Sequence, residues 1–420
     1  MAPFAIATLI LIFTRAFFEH WLNHINRRHV LRNAGRVPDA FRGTVDDATY
    51  RKSVEYTLAR SRFTALADAC QTALLVVILF SGALPWVFTS VTAGVTHVAA
   101  FGGFLFAAAM ILSAAQLPFD WYAQFRLEQR FGFNTTSMRT WMADRVKGFC
   151  VALCLLFPLL VLVLKVIEWA GPAWWLWAAG VVVTFQLLMM LLAPALILPL
   201  FNKFTPLGEG TLRERLFALA NRTGFPTRSI DIMDGSRRSR HSNAFFTGFG
   251  RFRKIVLYDT LVAQLTEPEL EAVLAHEIGH YKKRHVLKLM FVSIVMTLLA
   301  FGAIAWLARQ DWFYRAFGFE LQQSDAPAAM VPAFLLFGLL AGTFSFWLTP
   351  IINLWSRRFE YEADRFARDT MGEPGALVGA LRKLSEKNLS NLTPHPLYSG
   401  FHYSHPTLLE RERALTPGAG

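Results

Sequence analysis

Seven apolar runs punctuate this chain, and they decide most of what it can fold into. The first extends from Pro3 to Phe18; the others lie near 66–90, 98–118, 149–167, 174–198, 288–308 and 330–352. A helix needs ~20 largely apolar residues to cross the hydrocarbon core of a bilayer. Inside that core every backbone polar group has to be satisfied by the segment itself, which favours helices. The runs therefore predict an α-helical integral membrane protein with about seven transmembrane helices. Composition agrees, since only 17% of the residues are charged and 54% are hydrophobic, against ~25% charged in soluble domains. The net charge of +12 then reads as cationic loops beside the bilayer and not as a nucleic-acid surface.

The loops carry direction. Arg27, Arg28, Arg32, Arg36 and Arg42 follow the first run, and Val91 to His97 after the second has no Lys or Arg. Arg126, Arg130, Arg139 and Arg145 follow the third, Glu168 to Ala173 after the fourth has none, and Arg357 and Arg358 follow the seventh. Under the positive-inside rule this alternation puts the N-terminus outside and the C-terminus in the cytoplasm. No Lys or Arg precedes the first run and no small-residue cleavage site follows it, so it reads as a retained anchor and not as a signal peptide. Cys70, Cys150 and Cys154 all sit in apolar stretches without a CxxC, which leaves little room for thiolate metal sites or a disulfide framework.

The division that follows is transmembrane helices one to five with their loops in 1–200, a first catalytic part in 201–287, helices six and seven in 288–352, and a second catalytic part in 353–420. The two polar parts are separated only by the last two spans, so they can meet. Thr211 to Gly224 predicts a short amphipathic helix ended by Gly224-Phe225-Pro226. Ser229–Met233 and Lys254–Tyr258 read as strands. Thr266-Glu267-Pro268-Glu269 is a capping box that opens the next helix. A small α+β unit on the cytoplasmic side is the result.

That helix carries His276-Glu277-Ile278-Gly279-His280. Histidines four apart share one helical face and can bind one Zn2+. Glu277 lies where its carboxylate reaches a water on the metal and takes its proton as the water attacks a peptide carbonyl. A catalytic zinc wants a third protein ligand and an open position. His285 would lie about 140° round the same helix from His280, which rejects it as that ligand. Glu360 and Asp364, in Ser356 to Asp364, are four apart and share a face, with Glu362 pointing away. Glu360 can be the third ligand, and Asp364 can hold a histidine N–H and fix its tautomer; an ordinary solvated helix of Arg–Glu pairs would read the same. Asn243, in the His241 to Gly248 segment before the second strand, can hydrogen-bond a substrate backbone or belong to a plain turn. His405 can steady an oxyanion or be structural, and Arg411 can meet a carboxylate of substrate or protein.

In these residues the sequence resembles the type 1 CAAX prenyl endopeptidases, integral-membrane zinc metalloproteases. The resemblance covers Glu128 with Gly132-Phe133-Asn134, Trp141 and Asp144, then Pro199 to Phe204, His241 to Gly248, the 276–280 motif, Ser356-Arg357 with Glu360 and Asp364, and His405-Pro406. It implies a barrel of seven membrane helices around a water-filled chamber, with a gluzincin site at its cytoplasmic end. It implies His276, His280 and Glu360 as ligands of one Zn2+ and Glu277 as base. Asn243 and Ala244 would line the substrate strand, with His405 and Arg411 near the reaction centre. The implied substrate is a polypeptide with a prenylated C-terminal Cys-a-a-X, or another membrane-associated chain; no obligate protein partner is implied. Leu415 to Gly420 carries no ER-retention tail, which favours a bacterial-type inner membrane. A quality-control protease would share every site residue. A transporter or receptor would want its charges inside the spans, whereas the histidine helix flanks one.

Overall fold

The computed structural model describes residues 2–225, 227–247, 253–320 and 326–416. Pro226, Gly248 and the tail from Pro417 to Gly420 lie outside them. Six helical stretches are long and apolar enough to cross a membrane. The first three contain α1 (Pro3–Arg32), α2 (Asp47–Phe80) and α3 (Val98–Tyr122). The fourth, Met138–Phe201, is 64 residues long. At 1.5 Å per residue it would far exceed a ~30 Å hydrocarbon core if straight. It breaks at Gly171, whose φ of 55° suits only a residue without Cβ. The break yields α4 (Met138–Ala170) and α5 (Trp174–Leu192), which pack against each other.

The polar part then supplies β1 (Phe204–Pro206), α6 (Thr211–Arg222), β2 (Ser229–Met233), β3 (Ala244–Thr247), β4 (Lys254–Tyr258) and α7 (Glu267–Lys282). The chain returns to the apolar bundle as α8 (His285–Leu307) and α9 (Pro327–Ser345). It ends with α10 (Thr349–Met371), α11 (Gly375–Lys387) and α12 (Leu408–Leu415).

Two expected boundaries move. The run at 66–90 is not one helix, because Gly82 at φ 77° ends the path of α2 and starts a separate helix, Ala83–Thr92. The end of the run at 330–352 belongs to α10, since a tight turn at Phe346–Leu348 separates α9 from Thr349. The helix that carries Glu360 is thus a direct continuation of the last apolar one.

One apolar cluster gathers Ala5 from the start of α1, Leu79 from the end of α2, Phe101 from the start of α3 and Ile167 from the end of α4. Trp174 at the start of α5, Ile304 near the end of α8 and Met330 at the start of α9 join it. These are the ends that the loop charges assign to one side, so the helices alternate up and down as expected. The Arg-rich ends face the other core, where the two polar segments meet. There Leu216, Phe225, Ile255, Leu257, Leu274 and Ile278 from the first segment pack with Ala367, Leu377, Ala380 and Leu415 from the second.

The sheet in this second core has the order β1-β2-β4-β3. The runs 229–233 and 254–258 are strands as expected; β2 and β4 pair in parallel, and β1 and β3 add antiparallel edges. Of the two readings left open for the segment before the second strand, a substrate-binding edge or a plain turn, Ala244–Thr247 is edge strand β3. Glu128, Phe133 and Asp144 tie this unit to the membrane helices. Asp144 takes two hydrogen bonds from Arg238 at 2.8 and 3.0 Å, Phe133 stacks on His241 at 4.2 Å, and Glu128 Oε2 lies 3.4 Å from His241 Nε2.

Candidate active site

The site is built where α7 crosses α10. Helix α7 starts in the expected capping box, with the Thr266 N–H donating to Glu269 Oε2 at 2.8 Å. One face of α7 is buried down its length by Leu270, Leu274, Ala275 and Ile278. Gly279 lets α10 come close: a Cβ there would lie 2.9 Å from Ala363 Cα and 3.1 Å from its carbonyl oxygen. Only the missing side chain permits that approach.

The crossing brings together His276, His280 and Glu360. Their nearest donor atoms all lie within 4.8 Å of one another, and this is the metal-competent group found among the described residues. The two Nε2 atoms are 3.2 Å apart. Nε2 of His276 is 3.5 Å from Glu360 Oε2, and Nε2 of His280 is 3.3 Å from Glu360 Oε1. Glu360 is 4% exposed, yet its Oε2 has no hydrogen-bond partner. A buried carboxylate oxygen without one is costly, and a cation between the three side chains would satisfy it. The donor set, two imidazoles and a carboxylate, suits a divalent transition metal.

Asp364 lies one helical turn beyond Glu360, and its Oδ1 is 2.8 Å from Nδ1 of His276. Burial opposes charge on His276, but the carboxylates of Asp364 and Glu360 beside its two ring nitrogens outweigh it and raise its imidazole to about 9. That rise reflects how strongly this pocket favours a positive charge. Glu277 turns instead to a cavity of about 720 Å3 whose wall also includes Phe245, Phe246 and Thr247 of β3 with His280 and Tyr281. Burial pushes its carboxyl above the usual range, against the opposing pull of His276 and His280.

The remaining expected residues fall in different places. Asn243 and Ala244 open β3, with Asn243 Oδ1 accepting from the Ala244 N–H at 2.9 Å. β3 pairs with β4 on one side only, and its next three residues border the cavity. His405 is largely exposed on the rim, its Nε2 3.4 Å from Glu360 Oε1. Arg411 is buried, and of the two partners left open for it, a carboxylate of substrate or of protein, it meets the protein's. Its Nε and Nη2 donate to Asp364 at 2.8 and 2.6 Å, so its fork is spent inside the protein and not held out to substrate.

His285 is the residue the helical wheel misjudges. It lies outside the donor triplet, as expected, but not for the expected reason. The chain turns at Arg284, a non-glycine residue at φ 55°, so α7 and α8 are separate helices. The turn returns His285 to His280 with their Nδ1 atoms 3.0 Å apart. Its far nitrogen is 3.1 Å from Glu362 Oε2. A histidine five past a metal-binding histidine, just after a Lys-Arg helix end, is the signal that would have found it.

Residues 26–203 match the family described as CAAX prenyl protease N-terminal, five membrane helices, and residues 206–417 match peptidase family M48. CAAX prenyl protease 1 of Saccharomyces cerevisiae is 35% identical over 95% of this chain and 92% of its own length. The chain belongs to the CAAX prenyl protease 1 family. The human CAAX prenyl protease 1 homolog is 30% identical, covering 97% of this chain and 94% of that protein. The crystal structure of S. mikatae Ste24p superposes with a TM-score of 0.92 at 33% identity, covering 99% of both chains. Membership makes this a multi-pass membrane metalloendopeptidase that acts on polypeptides, and it implies a metal cofactor.

Proposed function

We propose that the metal is zinc, held by His276, His280 and Glu360, and that the enzyme cuts prenylated, CAAX-type or otherwise membrane-associated polypeptides at the cytoplasmic face. The observation that carries the metal assignment is the spacing of the three donors. Zn–N and Zn–O bonds of ~2.0–2.2 Å in a tetrahedron put neighbouring ligand atoms roughly 3.3–3.5 Å apart. Here the two Nε2 atoms are 3.2 Å apart, His280 Nε2 is 3.3 Å from Glu360 Oε1 and His276 Nε2 is 3.5 Å from Glu360 Oε2, so the two carboxylate oxygens face the two imidazoles at about that spacing. Three protein ligands leave the fourth position open, which is the catalytic and not the structural pattern.

Zinc held by these three residues would supply a Lewis acid for the scissile carbonyl and for the attacking water. Glu277 would accept that water's proton and return it to the leaving amine nitrogen, and its burial, which raises its pKa, favours the protonated form it takes between the two transfers. Asp364 accepts the Nδ1–H of His276 and so keeps Nε2 free as a donor atom. Arg411 neutralises Asp364. His405, with its Nε2 3.4 Å from Glu360 Oε1, is the residue we assign to hydrogen-bond the developing oxyanion. An extended substrate adds to the free edge of β3, with Asn243 and Ala244 at the reacting end.

The cavity beside Glu277 includes Met190, Pro194, Val286 and Leu287 with Phe245 and Phe246, an apolar wall suited to a lipidated segment. Relatives named CAAX prenyl protease 1 supply the substrate class. For the membrane part we infer seven spans, the Met138–Phe201 stretch counting as two, arranged as a barrel around a chamber. Arg15, Glu19, His20 and Asp68 on α1 and α2 line a cavity of about 200 Å3, and ionisable groups within apolar spans are expected to face water or one another and not lipid. The test is cleavage of a farnesylated CAAX peptide by purified enzyme, abolished by a chelator and restored by zinc. Cleavage that persists after metal removal would end the proposal.

A further inference from the structure

We propose that His285 and Glu362 form a positioning relay that fixes the hydrogen of His280 on Nδ1 and leaves its Nε2 as the metal donor. The inference rests on the reading of His280 as a ligand. His280 Nε2 faces the other two donors, at 3.2 Å from His276 Nε2 and 3.3 Å from Glu360 Oε1. Its Nδ1 faces Nδ1 of His285 at 3.0 Å. Two imidazole nitrogens at that distance share one hydrogen, so one ring donates and the other accepts.

The far end of the chain decides which. Nε2 of His285 is 3.1 Å from Oε2 of Glu362. That carboxylate also receives Arg358 Nε on Oε1 at 3.2 Å, with Lys288 Nζ at 4.0 Å. A carboxylate between cations is an acceptor, so the His285 hydrogen sits on Nε2. Neutral His285 then presents a lone pair at Nδ1, which takes the Nδ1–H of His280. The direction runs from Glu362 through His285 to His280, and it ends with a lone pair aimed at the metal position.

Packing holds the relay in place. The His285 side chain is 2% exposed and its ring stacks on Phe359 at 4.2 Å and 13°. Phe359, Glu360 and Glu362 belong to one stretch of α10, so the segment that brings the third ligand also brings the platform and the anchor. The two histidine ligands are therefore oriented by different devices: His276 by Asp364 directly, and His280 by a carboxylate acting through a second imidazole.

The test is zinc affinity of the full-length enzyme in detergent, by competition with a chromophoric chelator, alongside the visible spectrum of the cobalt-substituted protein. His285→Phe keeps the ring on Phe359 but has no acceptor, and should weaken zinc binding about 10–100-fold with an altered cobalt spectrum. His285→Asn places an amide oxygen near the lost Nδ1 and should recover most of the affinity. Glu362→Leu should weaken binding and Glu362→Gln, which keeps an acceptor, should not; this pair decides the matter if His285→Phe does not fold. Wild-type affinity and spectrum in His285→Phe, or equal losses in His285→Phe and His285→Asn, would overturn the relay. Zinc retained at full affinity by His280→Ala would instead overturn the ligand reading on which it rests.

Discussion

Replacing Gly279 by Ala should loosen the metal site although it touches no ligand. In an exposed helix interior that change stabilises by ~1 kcal/mol, because glycine has more freedom to lose on folding. Here the new Cβ would stand 2.9 Å from Ala363 Cα and 3.1 Å from its carbonyl oxygen, with Phe366 Cβ at 3.2 Å. Carbon atoms prefer about 3.5–4.0 Å, so α7 and α10 must part by roughly 0.6 Å. Two of the three obstacles are backbone atoms, and no rotamer change relieves them. Overpacking of this kind costs ~1–3 kcal/mol, which cancels or exceeds the propensity gain. The displacement also exceeds the ±0.2 Å tolerance of a metal site. Ala363 is three residues from Glu360, so the third donor moves with the helix. Strain of ~1–3 kcal/mol carried only by the metal-closed arrangement lowers zinc affinity roughly 5- to 160-fold. Chelator competition, with thermal unfolding of the apo and zinc forms, measures it. Unchanged zinc affinity together with a higher apo Tm would mean the helices do not cross this tightly.

Other perturbations separate the roles. Glu277→Gln should keep stoichiometric zinc and lose nearly all hydrolysis, by at least about 100-fold as for loss of a general base; near-normal turnover by that variant would reject the mechanism. The same variant should unfold at higher temperature than wild type in the apo form at neutral pH. A carboxyl whose folded pKa is raised destabilises the fold once pH passes its unfolded value, and a neutral amide does not; an unchanged apo Tm would contradict this. His241 is held above 6.5, chiefly by its hydrogen bond to Glu128 against the cost of burial. Its stabilising effect is full below its unfolded value and is lost as pH rises through the folded one. Apo stability should thus decline above about pH 6.5 more steeply in wild type than in His241→Phe, which keeps only the stacking on Phe133; parallel melting curves across pH would refute the linkage. Prenylated peptides should be cut with higher kcat/KM than unprenylated ones, and equal rates would favour a quality-control substrate.

How legible the molecule was from its sequence follows from the range of each interaction. The apolar runs fix helices because a bilayer leaves the backbone no other choice, and the loop arginines gave the alternation that one apolar cluster reflects. β2 showed in alternation, β4 as a short apolar run, and α7 in its capping box. Edge strand β3 did not show, because Ala244 to Thr247 is a strand by virtue of pairing with β4. The wheel argument against His285 assumed a helix running past residue 284, and a single left-handed residue there changes what its ring can reach. Arg411 was read as having a choice of carboxylates; burial beside Asp364 made it. Glu362 does point away from Glu360, yet it reaches His280 through one more side chain, a contact no spacing rule contains.

The central claim is that one turn of α7 and one carboxylate of α10 close around a single divalent ion. Metal analysis of purified wild type and Glu360→Ala, with peptidase activity followed in the same samples, tests it most directly. The account predicts about one zinc per wild-type chain and loss of both metal and activity in the variant. Full zinc in Glu360→Ala, or active wild type without zinc, would contradict it.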